Sequence, residues 1–124
     1  MPTITSYTKD YVDDLEEELK LLICNRQTDD YTLVLADAQK CIEMDCADAD
    51  TLTVPNNTSV AFPIGTVIYV VQRGAGAIDI APGGSVTLRS LDGNLTIAGQ
   101  YGMAKLHKID TNEWYLTGDL ITPP

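Results

Sequence analysis

The stretch Phe62-Pro-Ile-Gly-Thr-Val-Ile-Tyr-Val-Val-Gln-Arg-Gly-Ala-Gly76 decides the fold. A proline opens it and a glycine turn closes it. Between them lies a run of β-branched and aromatic residues, the composition of a strand. Over residues 65–71 successive side chains alternate faces, so Thr66, Ile68 and Val70 line one face and Val67, Tyr69 and Val71 the other. Both rows are largely apolar, and both are expected to be covered. The core takes one row. The other is expected to meet an N-terminal helix or a neighbouring subunit, with the subunit favoured, which makes Val67, Tyr69 and Val71 the candidate subunit interface.

Similar punctuation recurs on both sides. Tyr31-Thr-Leu-Val-Leu-Ala36 has β composition, and Ile42, Met44 and Cys46 alternate with Glu43 and Asp45. Thr51-Leu-Thr-Val54 runs into the turn signal Pro55-Asn-Asn57. Beyond the central strand come Ile78-Asp-Ile80, Pro82-Gly-Gly84 and Val86-Thr-Leu88, then the short hairpin signal Asp92-Gly-Asn94 ahead of Leu95-Thr-Ile97. A last pair, residues 103–109 and 114–120, is joined through Asp110-Thr-Asn112. About eight or nine short strands at roughly ten-residue spacing predict a mainly β domain over residues 26–124, an antiparallel β-sandwich or jelly-roll-like barrel.

Residues 1–25 read as a separate arm with a short acidic helix. Thr8 is placed to cap a helix starting near Lys9, with Asp10, Asp13 and Asp14 at its positive end. Val12, Leu15, Leu19 and Leu22 recur at spacings of three and four, the stripe of an amphipathic helix or of two heptads. Isolated helices below about 12–15 residues are marginal. The stripe must therefore pack on the body of the chain, a sister subunit or another surface.

A chain of 124 residues holds one domain plus a short appendage and can support a core without staples. Its 44% hydrophobic content and near-zero mean hydropathy are globular values. No apolar run approaches the roughly 18 residues of a membrane helix. The first ten residues lack the basic and apolar regions of a signal peptide, so synthesis in a cytoplasm is expected, with no membrane partner. A net charge of −10 argues against nucleic acid as a partner. Thirteen of the 18 acids lie at or before Asp50 against four bases (Lys9, Lys20, Arg26 and Lys40), so the acidity belongs to the arm and the first strands. Cys24, Cys41 and Cys46 are odd in number, which predicts reduced thiols, and a single His107 argues against zinc.

No catalytic constellation emerges. Gly74-Ala-Gly76 and Gly83-Gly84 precede strands and lack the lysine of a phosphate loop, so they read as turns. The acids at 13, 14, 16, 17 and 18 read as a solvated helix face. Asp45, Asp48 and Asp50 offer oxygen ligands, but without calcium-loop spacing or a glycine among them. His107 has no nucleophile in an elbow motif, since Ser59, Ser85 and Ser90 lie outside any. Trp114 alternates with Leu116 as a core residue does, whereas Tyr7, Tyr11, Tyr69, Tyr101 and Tyr115 suit interface contacts.

One set of turn and core positions comprises Ala36-Asp37-Ala38 with Lys40, Ile42-Glu43-Met44, Val54-Pro55, Phe62-Pro63, Gly65-Thr66, Ile68, Val70, Gln72 and Gly74-Ala75-Gly76. Ala104, Leu106, Lys108-Ile109, Trp114, Leu116 and Gly118-Asp119-Leu120 complete it. In these residues the chain resembles a small β-rich module recurrent in structural proteins of tailed bacteriophages, of capsid-decoration, head-fibre and tail-fibre type. At Val67 and Tyr69 it departs from that module, which is more often polar there. The resemblance implies a trimeric β-sandwich without cofactor, metal or catalysis. A fibre needs a long shaft, and only the short arm precedes the β-domain. The resemblance therefore implies a cement protein on the capsid surface of the virion, made in the host cytoplasm. It would be a homotrimer that clamps neighbouring subunits of the major capsid protein or of another virion structural protein. On that reading Tyr7, Tyr11, Val12, Leu15, Leu19 and Leu22 anchor the arm to the capsid. The alternative is a tail-fibre, head-fibre or baseplate domain that binds a host-surface glycan or protein, and an enzyme ranks last.

Overall fold

The computed structural model describes residues 21–122. The expected helix, with Tyr7, Tyr11, Val12, Leu15 and Leu19, lies outside the described residues. Leu22 sits in irregular, exposed chain just ahead of the first strand.

Alternating apolar and polar residues, cut every few positions by Gly, Pro, Asn or Asp, produce eleven short strands among the described residues. They are β1 (Cys24–Gln27), β2 (Tyr31–Thr32), β3 (Cys41–Met44), β4 (Asp50–Val54), β5 (Val67–Gln72), β6 (Ile78–Pro82), β7 (Thr87–Ser90), β8 (Thr96–Ile97), β9 (Met103–Asp110), β10 (Glu113–Gly118) and β11 (Leu120–Ile121). They form a six-stranded sheet ordered β1-β3-β5-β9-β10-β7 and a five-stranded sheet ordered β11-β8-β6-β4-β2. The mainly β, two-sheet expectation holds.

The antiparallel part of that expectation needs correction, because both sheets are mixed. From β1 to β6 the chain passes back and forth between the sheets. Each strand from β3 on lies parallel to the strand two before it, β1-β3-β5 in one sheet and β2-β4-β6 in the other. The first half is thus a flattened coil of three turns. A parallel pair needs a crossover, and here each crossover carries a strand of the opposite sheet. The β9–β10 hairpin, antiparallel through Asp110-Thr-Asn112, then closes the larger sheet against β5, and β7 joins its far edge in parallel with β10.

Two local readings also change. Asp92-Gly93 has the positive φ values of a tight turn (58° and 70°), yet it makes no hairpin. β7 belongs to the larger sheet and β8 to the smaller, so the turn carries the chain from one sheet to the other. Residues 31–36 supply only a two-residue strand. Leu33 turns fully into the core and Leu35–Asp37 closes a 3₁₀ turn, because the buried Asp37 carboxylate accepts from the Val34 N–H and the Tyr31 hydroxyl.

Register places the apolar rows. Ile42, Val70 and Ala104 stand side by side facing inward, as do Ile68, Leu106 and Leu116. Across the gap they meet Leu52 and Ile80, which pair in the smaller sheet. Trp114 closes one end, edge-to-face on Phe62 at 5.6 Å between ring centroids. Each fully buried aliphatic side chain here contributes about 1.5–3 kcal/mol.

The coil stacks turn on turn, and this is where glycine is required. A Cβ on Gly74 would lie 2.3 Å from the carbonyl oxygen of Cys46, and one on Gly76 would lie 2.0 Å from that of Asp48. The Gly76 N–H donates to the Cys46 carbonyl at 2.9 Å. Backbone therefore rests directly on backbone, with no space for a methyl group. Gly76→Ala is expected to lower the thermal midpoint by about 10 °C or more, the effect of at least ~2 kcal/mol in a domain of this size. Gly84→Ala, whose Cβ would meet nothing nearer than the Asn56 side chain at 3.9 Å, should leave the midpoint almost unchanged. Equal, small shifts in both proteins would show that the turns do not stack as described.

Candidate functional site

The outer face of the six-stranded sheet carries the candidate interface. In β5, Ile68 and Val70 point inward and are fully buried, whereas Val67, Tyr69 and Val71 point outward and are only half-buried. Pairing extends each outward residue into a row. Val67 continues through His107 and Tyr115 to Arg89, Tyr69 lies between Cys41 and Lys105, and Val71 lies between Glu43 and Met103. Tyr115 and Met103 are 49% and 41% exposed, so the apolar strip runs on into open surface. The His107 and Tyr115 rings are 6.3 Å apart. Val67, Tyr69, Val71 and Tyr115 are the interface candidates legible in the sequence, and nothing in it joins Met103 and His107 to them. Those two enter through the β5–β9 register, a long-range feature.

The rim of this face holds both signs of charge, paired. Arg26 and Arg73 each approach Glu43 at 3.6 Å, Arg73 reaches Asp45 at 4.0 Å, and Arg89 donates to Glu113 at 2.7 Å. Such exposed pairs add little stability. They do leave the face close to neutral in a chain of net charge −10.

The open end of the coil is closed by polar groups. At β1, Asn25 and Gln27 stand in register with Ile42 and Met44. Asn25 Nδ2 donates to Tyr31 Oη (3.0 Å) and Asp37 Oδ1 (3.1 Å), Tyr31 Oη donates to Asp37 Oδ2 (2.7 Å), and Gln27 Nε2 donates to Asn25 Oδ1 (2.8 Å). This network covers the apolar first turn with groups that satisfy one another.

Carboxylates converge at the turns between the sheets, though not those that the spacing first suggested. Asp50 meets Asp29 and Asp30, all within 4.8 Å, and not Asp45 and Asp48. The three come from successive turns of the coil, a neighbourhood that spacing in the chain does not reveal. A hydrogen bond from the buried Cys46 thiol lowers the Asp50 pKa, but desolvation and repulsion from Asp30 and Asp29 outweigh it and hold Asp50 above its ordinary value. The same surroundings, burial first and then Asp50, push Cys46 up to about 11. The three cysteines are free thiols, with Cys24 beside Cys41 in register.

Lys108, one of the turn and core positions, shares strand parity with the inward Ala104 and Leu106, but nothing local in the sequence shows that its charge is buried or what it bonds. It is 2% exposed, and its ammonium donates to Asn57 Oδ1 and the Phe62 carbonyl, both at 2.7 Å, beneath Trp114. It ties the long β4–β5 connection to the core without an opposing carboxylate among these contacts. Ser59, Ser85 and Ser90 make no hydrogen bond to His107 among the described residues; Ser90 Oγ donates to the Asn94 carbonyl instead.

Half-buried Tyr31 and buried Lys108 give opposite alkaline signatures. Burial, then the Asp37 hydrogen bond, push Tyr31 from 10.0 up to about 12, so the folded state keeps a proton that the unfolded state loses, and stability falls over that interval. Burial lowers Lys108 below its ordinary 10.5, so the folded state releases its proton first, and stability rises as pH approaches that value. In urea titrations across alkaline pH, Tyr31→Phe should lessen the fall, to which the raised Cys46 and Cys41 thiols also contribute, and Lys108→Met should lose the rise. Tyr31→Phe should also cost about 1–3 kcal/mol at neutral pH by leaving Asp37 short of a donor. An unchanged alkaline profile in both variants would contradict these environments. No family model, curated protein or solved structure matches this chain.

Proposed function

We propose that this chain is an assembly protein of a bacteriophage virion, a capsid decoration or cement protein. Copies join through the outer face of the six-stranded sheet into a homotrimer, and the arm anchors the trimer on the major capsid protein. One observation carries this reading: β5 buries one apolar row completely and leaves a second, of Val67, Tyr69 and Val71, half-covered in a single chain. The paired charges around that row support contact between like copies, because they remove the repulsion that a net charge of −10 would otherwise impose. The resemblance of the turn and core positions to phage structural modules supplies the virion context.

Light scattering of the full chain should give the mass of a trimer, and Tyr69→Glu or Val71→Glu should shift it to that of the monomer without lowering the thermal midpoint of the subunit. A monomeric parent protein would sink the interface. Deleting residues 1–20, which spares β1, should abolish binding to capsids and leave the trimer intact. Label on the parent particles should lie over the head, and label over the tail would favour a fibre or baseplate component instead.

A further inference from the structure

We propose that the open groove beside Tyr101 is a binding site for a neutral saccharide. The groove, about 480 Å³, lies between the stacked turns of the coil and the β8–β9 loop, and Asp45, Cys46, Arg73, Gly74, Gln100 and Tyr101 are among its lining residues. That volume falls in the range of small-ligand sites, roughly 300–1,000 Å³. The site goes beyond the assembly reading: none of its lining residues belongs to the Val67, Tyr69, Val71 row, although Arg73 and Asp45 also lie on the rim of that face.

Tyr101 is the main observation. Its φ is +69°, in the left-handed region that bulky residues avoid, and it is 73% exposed, so its ring adds little to the core. The backbone secures this conformation: the Tyr101 N–H donates to the Gln72 carbonyl, the Gln72 N–H to Gly102, and the Gly102 N–H to Gly99. A glycine at 101 would keep every one of these bonds and remove the strain, in a turn that already contains Gly99 and Gly102. The fold therefore tolerates strain in order to hold an aromatic ring out over a groove. Such stored strain is characteristic of sites that meet a ligand.

The neighbouring groups specify the class of ligand. Arg73 is steered by Glu43 (3.6 Å) and Asp45 (4.0 Å), yet its side chain is 46% exposed, and that of Asp45 is 39% exposed. Gln100 Nε2 donates to the Arg73 carbonyl at 3.1 Å, which fixes the carboxamide on the groove wall. A guanidinium donor, a carboxylate acceptor and a carboxamide thus stand beside an exposed aromatic ring. Together they fit the hydroxyls and the C–H face of a pyranose ring. The carboxylates of Glu43 and Asp45, in a chain of net charge −10, select against phosphorylated, sulfated or sialylated sugars.

Two-dimensional NMR of the labelled full chain, titrated separately with maltotriose, N-acetyllactosamine, chitobiose and anionic sialyllactose, tests the site. At least one neutral sugar should shift the resonances of Arg73, Gln100 and Tyr101 to saturation at millimolar concentration, and sialyllactose should bind more weakly. Tyr101→Asn, which suits a positive φ, should weaken binding about tenfold or more while the thermal midpoint stays level or rises. Tyr101→Phe should retain most of the affinity. Three results would each overturn the proposal: no shift with any of the neutral sugars, shifts elsewhere on the surface, or unchanged affinity in Tyr101→Asn.

Discussion

Backbone packed on backbone, where the turn through Cys46 and Asp48 rests on Gly74 and Gly76, sets the pitch of the coil and with it the rest of the domain. Because these turns stack without intervening side chains, β3 and β5 come into parallel register, as do β4 and β6. That register aligns Ile42 with Val70 and Leu52 with Ile80, so two independently patterned strands become one continuous apolar row in each sheet. A displacement of one residue would turn these side chains to the opposite face. The glycines therefore act through the core they align more than through their own contacts.

A coil of parallel strands carries an inherent hazard, since its end presents unpaired backbone and an open apolar interior. Here the two ends of the larger sheet are treated differently. At the β1 end the interior positions are given to Asn25 and Gln27, which bond with Tyr31 and Asp37 and complete the first turn in polar groups. Towards the other end the β9–β10 hairpin and β7 extend the sheet, and Trp114, Phe62 and Lys108 pin the longest connection over the core. The buried ammonium is a costly group to place in the interior. Its two acceptors fix the loop together with the buried Phe62 and the bond from the Asn57 N–H to Asn112 Oδ1.

The surface is equally uneven. Acidic side chains crowd the turns that carry Asp29, Asp30 and Asp50, whereas the outer face of the larger sheet pairs its charges and leaves Val67, Tyr69, Val71, Met103 and Tyr115 between them. Repulsion over one region and neutrality over another give a preferred direction of approach to any second copy. The groove beside Tyr101 uses the same Arg73 that borders this face. Assembly and ligand binding on adjacent surfaces would then meet at Arg73 and Asp45 while keeping Tyr69 and Tyr101 apart.

Taken alone, the sequence determined the strand content, the two apolar rows of β5, the turns at Gly74-Ala-Gly76, the β9–β10 hairpin and the core role of Trp114. Each is set within a few residues of chain by alternation, φ preference or turn chemistry. Only the tertiary structure decided that the strands pair in parallel as a coil, since alternation reads the same whichever partner lies alongside. The register partners Cys24, Cys41 and Tyr69 are unevenly spaced, so no repeat announces them. The same holds for sites: the Asp29, Asp30 and Asp50 cluster, the partners of Lys108 and the groove at Tyr101 join residues from different turns. Their proximity is a consequence of stacking between distant segments, which no local pattern encodes.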